Sequence, residues 1–423
     1  MRILLLSTTT GYQLRSFGDS AERLGIDLVF GTDRCRNLDD PWRDGAVAVR
    51  FHDADASLTA LVAAHQQRPI DGVIAVGDRP VVLAARVAQA LGLRGNPPDA
   101  AWASANKTLA RERFGAAGLL TPWFRELPLT SEIDPALLDG VSFPCVVKPI
   151  GLSGSRGVVR ADSPEELSRA FGRVRALLAR RDVRVIRSGL EDRALVEGYI
   201  DGREFAVEGV LTAGSLRVFA TFDKPDPLDG PFFEETIYVT PSAETRAVQD
   251  SIVSHIQRGA SALGLTDGPV HAECRVGPRG VFVLEVAARP IGGLCSKVLR
   301  LARGGESGLV ALEEVLLRHA CGEDVSSYAR EPRAAGVMMI PIPKRGFFKR
   351  VEGIADAAAV PLVEEVRITA KPDQLIEPLP EAAGYLGFIF ARGDSRDDVI
   401  GALRSAHARL AFVIDPALTV AAM

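Results

Sequence analysis

The chain lacks most of the patterns that announce a site. Its five cysteines, at positions 35, 145, 274, 295 and 321, show no CxxC spacing. That excludes a disulfide framework or cysteine zinc site and predicts reduced thiols in a cytoplasmic protein. Cys274 sits inside an apolar run next to Glu273, and strand alternation turns the two side chains apart, so it reads as core filler rather than a nucleophile. No run of eighteen apolar residues occurs, so no helix is expected to span a membrane. The opening Met1-Arg-Ile-Leu-Leu-Leu-Ser is too short for a signal-peptide core and reads as a first strand. Positive charge is not in excess: net charge is −4 and the pI is about 6.0, which removes any electrostatic argument for nucleic acid or an anionic membrane. The local basic run of Arg173, Arg175, Arg180, Arg181 and Arg184 reads as a solvated helix face. No glycine loop closes in Gly-Lys-Ser/Thr, and no dinucleotide glycine fingerprint is present. Internal repeats and low-complexity segments are also missing.

What the chain has is length and apolar content. Its 423 residues, 47% of them hydrophobic, suffice for about two to four domains with real cores. Residues 1 to about 100 alternate strand and helix: strands at Ile3–Leu6, Ile26–Phe30 and Gly72–Val76, helices at Gly18–Leu24, Leu58–Gln67 and Pro80–Leu91. That is the pattern of a parallel, doubly wound sheet, which binds ligands at its strand C-terminal ends. Thr8 to Tyr12 and Gly77-Asp78 fall there, although Asp78 also fits a plain helix cap. Gly95-Asn-Pro-Pro-Asp reads as a boundary. Further helices are expected at Asn106–Ala117, Pro164–Ala179 with Ser163 as cap, Thr245–Leu263 and Gly308–Cys321. The Pro- and Gly-rich stretch from Asp223 to Glu235 reads as a long loop that shapes a substrate site. From residue 331 onward, short strands and turns predict a small α+β tail.

Chemistry concentrates in three places. In Phe143-Pro-Cys-Val-Val-Lys148-Pro one lysine interrupts a buried-strand pattern, which is rare unless its charge has a partner. The loop after it, Gly151-Leu-Ser-Gly154-Ser155-Arg-Gly157, can present backbone N–H groups and hydroxyls to phosphate oxygens. Next, two strand-like runs flank Asp201-Gly202, a hairpin signal. Between them Glu197-Gly-Tyr199-Ile200 can offer its backbone to an adenine edge, with Glu204 placed for ribose hydroxyls. Third, Glu273 and Glu285 lie on two apolar runs joined by the turn Gly277-Pro-Arg-Gly280, followed by Arg289 and Gly292-Gly293. If the runs pair, both carboxylates meet. Acidic oxygens for Mg²⁺, a guanidinium for phosphoryl oxygens and free N–H groups are what phosphoryl transfer from ATP requires. Glutamates beside a hairpin also occur on solvated surfaces, and it is the upstream lysine and loop that shift the balance.

In this order the motifs resemble the ATP-grasp superfamily over about half the chain. Asn106-Lys107…Arg111 is similar to that superfamily's first phosphate lysine. Within it, the chain resembles the L-amino-acid ligase (dipeptide synthetase) group over nearly its whole length. The resemblance rests on Leu4-Leu-Leu-Ser-Thr-Thr-Thr-Gly-Tyr, on Asp71-Gly-Val-Ile-Ala-Val-Gly-Asp78 leading to Leu91-Gly-Leu-Arg-Gly-Asn-Pro-Pro, and on Glu285-Val-Ala-Ala-Arg-Pro-Ile-Gly-Gly. It also rests on the module from Ala335-Gly-Val-Met-Met through Gly384-Tyr-Leu-Gly-Phe-Ile-Phe-Ala-Arg-Gly393. It implies an α/β and α+β multidomain ATP-grasp fold: a Rossmann-like N-terminal domain over 1–105, an ATP-grasp domain over 106–330 with ATP between its two subdomains, and a C-terminal ligase-type domain over 331–423. One departure stands out: where many ATP-grasp enzymes carry Asn two residues after the second metal glutamate, this chain has Ala287.

The resemblance implies an ADP-forming carboxylate–amine ligase acting through an acyl phosphate, with ATP and Mg²⁺ (or Mn²⁺) as cofactors. Lys107 and Lys148 would hold phosphates, as would the loop at Gly154, Ser155 and Gly157. Glu273 and Glu285 would hold the metal. Arg289, with the N–H groups of Gly292 and Gly293, would stabilise developing charge. His271, on the same strand face as Glu273, would contact substrate or serve a structural role, and Glu234 would bind or deprotonate the amine. The expected partners are small carboxylate and amine substrates, with amino acids favoured and a homodimer as the default assembly. Two readings compete: transfer of the activated acyl group to a carrier protein, and a non-catalytic nucleotide-binding module. A third, an oxidoreductase, lacks the required glycine pattern.

Overall fold

The apolar run that opens the chain is a strand, Arg2–Ser7, with Ile3 to Leu6 fully buried. The structure, a computed structural model, describes residues 1–8, 13–33, 45–129, 139–305, 308–382 and 384–417. The expectations for Thr9 to Tyr12 and Cys35 lie outside the described residues. Arg2–Ser7 pairs in parallel with Asp27–Thr32 on one side and Gly72–Val76 on the other, and Ala46–Ala48 completes a four-stranded sheet. Helices Leu14–Leu24, Ala54–Gln67 and Val81–Ala90 alternate with these strands as the periodicity predicted. Gly25 closes the first helix at φ 63°, a left-handed position that a Cβ would strain. Asp78 does not cap the third helix; Pro80 stands at that position.

The segment read as a boundary contains a short helix, Pro98–Ala105, with a proline in its first turn, where the missing N–H costs nothing. It leads into helix Lys107–Ala116, whose Asn106 side chain accepts from the N–H groups of Thr108 and Leu109. A second four-stranded sheet orders Phe124–Pro128, Arg193–Gly198, Cys145–Pro149 and Val159–Ala161, all antiparallel. Helix Pro164–Leu178, capped by Ser163, packs its apolar face of Leu167, Phe171 and Val174 on that sheet.

The third layer is an eight-stranded sheet. Its order is Gly280–Ala287, Gly268–Gly277, Arg203–Thr212, Ser215–Asp223, Ile237–Thr240, Ala334–Ile340, Gly387–Gly393 and Val363–Ile368. Two expectations change here. The runs flanking Asp201-Gly202 do not form a hairpin: Arg193–Gly198 lies in the four-stranded sheet and Arg203–Thr212 in the eight-stranded one. The turn chemistry reverses the chain locally, but each strand finds a better-buried partner elsewhere, and the segment between becomes a hinge between sheets. The residues beyond 331 are not a detached tail either, because Ile237–Thr240 pairs antiparallel with Ala334–Ile340, from Ile237↔Met338 to Thr240↔Ala335. The helix expected from Gly308 begins later, at Leu312, after a short strand at Leu309–Ala311. Among the described residues no helix is long and apolar enough to cross a membrane.

Candidate active site

A cavity of about 340 Å³ lies where the three layers meet. The four-stranded antiparallel sheet contributes Lys148 and the backbone around Glu197 to Ile200, and the loop after Lys148 contributes Ser153 to Ser155. The eight-stranded sheet contributes Glu204, His271, Glu273 and Glu285, followed by Arg289, Gly292 and Gly293. Lys107 and Asp78 reach it from the N-terminal half.

The buried lysine has the partner its setting demanded. Lys148 pairs with Glu197, which also accepts from Arg111 Nε at 2.8 Å and Nη2 at 3.3 Å. Burial opposes the Glu197 charge, but the two cations outweigh it and pull its pKa down to about 2. Burial also lowers the pKa of Lys148; Glu197 opposes that shift and the neighbouring Arg111 adds to it. One anion between two cations gains more than either cation does, so Glu197 is the firmly held charge. Its carboxylate is thus spent on those two cations, and Glu197, Gly198, Tyr199 and Ile200 together line the cavity side expected for an adenine. There Ile200 O accepts from Arg275 Nη1 at 2.7 Å, while the Ile200 N–H has no partner among the described residues.

Glu273 and Glu285 are direct cross-strand partners in the hairpin Gly268–Gly277 and Gly280–Ala287. Glu273 belongs to a wider acidic group: oxygens of Glu204, Glu235 and Glu273 lie within 4.8 Å of one another. Lys224 Nζ stands among them, at 2.7 Å from Glu204 and Glu273 and 2.5 Å from Glu235. Burial disfavours the Lys224 charge, yet the three carboxylates hold its pKa well above the ordinary lysine range. Burial raises the Glu235 pKa to about 7, against the pull of Lys224. Burial also opposes the Glu273 charge, but Lys224 and His271 win and hold its pKa well below the carboxylate range. This trio is therefore offset by an ammonium. All three also line the cavity with Glu285, and the cross-strand pair of Glu273 with Glu285 suits Mg²⁺, which takes one or two carboxylates and fills its remaining positions from water and phosphate.

His271 Nδ1 lies 3.2 Å from Glu208 Oε2, and its Nε2 lies 3.8 Å from Glu273. Burial works against protonation, but the bond to Glu208 and the nearby Glu273 carboxylate outweigh it and raise the His271 pKa to about 9. Ala287, its cross-strand partner, is buried and offers no ligand atom. Arg289 Nε donates to Asp78 Oδ1 at 2.7 Å, and Nη2 lies 3.9 Å from Glu285. The Ile291 N–H is taken by Glu208, and its carbonyl accepts from Gln13. The N–H groups of Gly292 and Gly293 have no partner among the described residues, while the Gly292 carbonyl accepts from Cys295 N–H.

Two expected residues fall elsewhere. Glu234 does not line the cavity, whereas its neighbour Glu235 does. In extended chain one residue reverses the face, and a position inferred from a loop cannot choose between them. Gly157 does not face the cavity either: its N–H donates to Pro380 O at 2.8 Å, and a Cβ there would come within 2.6 Å of the Pro149 ring. It is a close-approach glycine, and the free loop donors are those of Gly154 and Ser155. Sequence reasoning missed Lys224, Glu208, Arg275 and Glu235. The rule that singled out Lys148, a charge inside an apolar run, also singles out Glu208 in Phe205-Ala-Val-Glu-Gly-Val and Arg275 after Cys274. Nothing local distinguishes Lys224.

Residues 141–298 match the ATP-grasp domain family, 18–95 an ATP-grasp N-terminal domain, and 338–415 the L-amino acid ligase C-terminal domain 2. The solved L-amino acid ligase from Bacillus licheniformis superposes with a TM-score of 0.79 at 27% identity, covering 98% of this chain and 99% of that one. Dapdiamide A synthase of Enterobacter agglomerans is 26% identical over 300 residues, 69% of this chain and 68% of its own. Alanine–anticapsin ligase of Bacillus subtilis is 27% identical over 219 residues, 48% of this chain and 45% of its own, so the match spans less than half of that relative.

Proposed function

We propose that this chain, which belongs to the ATP-grasp superfamily and carries an L-amino acid ligase C-terminal domain, joins a carboxylate to an amine through an acyl phosphate, releasing ADP and phosphate. The observation that carries the reading is the pairing of Glu273 with Glu285 across one hairpin, on the same cavity as Lys107, Lys148 and Arg289. The cofactors are those of the superfamily, ATP and Mg²⁺. The division into domains 1–105, 106–330 and 331–423 is part of this proposal.

A carboxylate resists amines because oxide is a poor leaving group, and transfer of the γ-phosphoryl group to that oxygen makes phosphate the leaving group. Such transfer calls for charge neutralisation more than covalent help. Lys107 and Lys148 supply positive charge to the phosphates, and the Gly154 and Ser155 N–H groups donate to them. The Ile200 N–H donates to an adenine ring nitrogen, and Glu204 faces the ribose. Glu273 and Glu285 would hold Mg²⁺, which supplies neutralising charge between phosphate oxygens when bound. Lys224 cancels the mutual repulsion of Glu204, Glu235 and Glu273 and orients them. Arg289, aimed by Asp78, faces the transferring group, and the Gly292 and Gly293 N–H groups serve the tetrahedral oxyanion as the amine attacks. His271, held by Glu208, donates toward Glu273 and keeps it ionised.

The test is nucleotide analysis over pairs of amino acids. ADP and phosphate are expected in equal amounts, dependent on Mg²⁺ and on a carboxylate substrate. Formation of AMP and pyrophosphate would rule out the acyl-phosphate route. Replacing Arg289 or either metal-holding glutamate is expected to cost several powers of ten in turnover, about 3–5 kcal/mol of transition-state stabilisation.

A further inference from the structure

Beyond the charged residues the cavity has an apolar wall that the phosphoryl chemistry does not use. Met339 and Phe388 are cross-strand partners on neighbouring strands and project from one face of the sheet, the face that also carries Tyr238. Tyr385 packs edge-on against Phe388, with ring centroids 6.4 Å apart, and Ile291 and Cys295 close the surface. The wall abuts Glu235 and Glu273 through Tyr238, whose hydroxyl lies 3.0 Å from Glu235 and 3.2 Å from Glu273 and can donate to either.

Opposite it the chain runs through Gly292 and Gly293. Gly293 has reasons of its own to be glycine, with φ at 63° and the Phe388 ring 3.1 Å from where a Cβ would stand. Gly292 has neither reason. Its φ is not in the left-handed region, and a Cβ built there meets no atom within 4 Å. Packing and backbone conformation both permit a side chain at 292, a position on the cavity lining.

We infer that this part of the cavity is the side-chain subsite for the activated substrate, and that it selects an α-amino acid with a large apolar, preferably aromatic, side chain. The inference rests on the ligase reading above and names the substrate class of that site. A ring laid against Met339, Tyr385 and Phe388 takes its own apolar surface out of water, which a glycine or alanine side chain is too small to do. A charged side chain laid on the apolar wall itself would lose hydration against Met339, Tyr385 and Phe388, which offer it no counter-charge.

Hydroxylamine in place of the amine substrate reads acid selectivity directly. Its nitrogen attacks the acyl carbon, the bond to phosphate breaks, the nitrogen's proton passes to water, and a hydroxamate accumulates. With ATP and Mg²⁺, kcat/KM for phenylalanine, tryptophan and methionine is expected to exceed that for alanine and glycine by at least about tenfold. Gly292→Leu is expected to reduce the phenylalanine-to-alanine ratio by about tenfold or more, and Tyr385→Ala to reduce it in the same direction by removing part of the wall. The ratio is insensitive to a general loss of activity. A wild-type preference for alanine or glycine, or ratios unmoved in both variants, overturns the subsite while leaving the ligase reading intact. No ATP-dependent hydroxamate from any amino acid overturns the ligase reading itself.

Discussion

Single charges inside this protein are tied to particular partners, and each tie predicts a response. Lys224 is 3% exposed and balances three carboxylates. Lys224→Met leaves them uncompensated, at a cost of about 3–5 kcal/mol. Because protonation of Glu235 relieves part of the repulsion, the loss is expected to be larger at pH 8 than at pH 5.5. Urea unfolding at the two pH values measures it, and an equal loss would mean that the carboxylates do not depend on the lysine. Glu197 responds with the same sign in a more acidic window. Its folded pKa, about 2, lies below the ordinary 4.5, so its contribution is present above pH 4.5 and is lost as pH falls toward 2. The stability advantage over Glu197→Gln from this source is about 3 kcal/mol at neutral pH. It is expected to shrink steadily in unfolding titrations from pH 5 to pH 2.

At the scale of elements, the loop after Lys148 is fastened on both sides of Gly154 and Ser155, with Lys107 Nζ donating to Leu152 O near its start. Gly157 N–H and Arg156 Nε donate to the carbonyls of Pro380 and Glu381, and Arg173 Nη2 meets Glu381 Oε2 at 2.8 Å. The Gly154 and Ser155 donors have no partner among the described residues. Adding an ATP analogue with Mg²⁺ is therefore expected to slow amide exchange over Gly151–Gly157. Exchange that is equal with and without nucleotide would show that the loop does not close over phosphates. The same contacts tie helix Pro164–Leu178 to the segment that carries Tyr385 into the cavity. The Arg173–Glu381 pair is partly exposed, so Arg173→Ala is expected to change stability by less than about 1 kcal/mol. It is nevertheless expected to raise KM for ATP about threefold, by loosening the lid in steady-state assays.

The whole molecule shares one sheet across what looks in sequence like a boundary. Ala334–Ile340 covers the edge of Ile237–Thr240, and helix Arg396–His407 ties back through Arg396 to Asp223, the residue before Lys224. Truncation after residue 330 would expose that edge and the buried Ile237 and Val239. The shortened chain is expected to aggregate or to lose its cooperative thermal transition, as read by circular dichroism and light scattering. A soluble fragment with a sharp transition would show that the C-terminal strands are an accessory rather than part of the core.

The residues most legible in sequence are those whose partners are close along the chain. The alternating α/β pattern of the first hundred residues was readable because helix and strand periodicities are local. Glu273 and Glu285 were readable as a pair because a short turn leaves their strands little choice but to meet. Lys148 was readable because a charge in an apolar run demands a counter-ion, although its identity as Glu197, on a strand far along the chain, was not. Tertiary structure alone decided the rest. It split the strands around Asp201-Gly202 between two sheets, turned Glu235 rather than Glu234 to the cavity, and set Lys224 among carboxylates from three separate segments. It also brought Met339 and Phe388 onto the wall. In each case the deciding contact joins residues distant in sequence, and the competition among burial, pairing and charge that selects such a contact leaves no mark on the residues beside it.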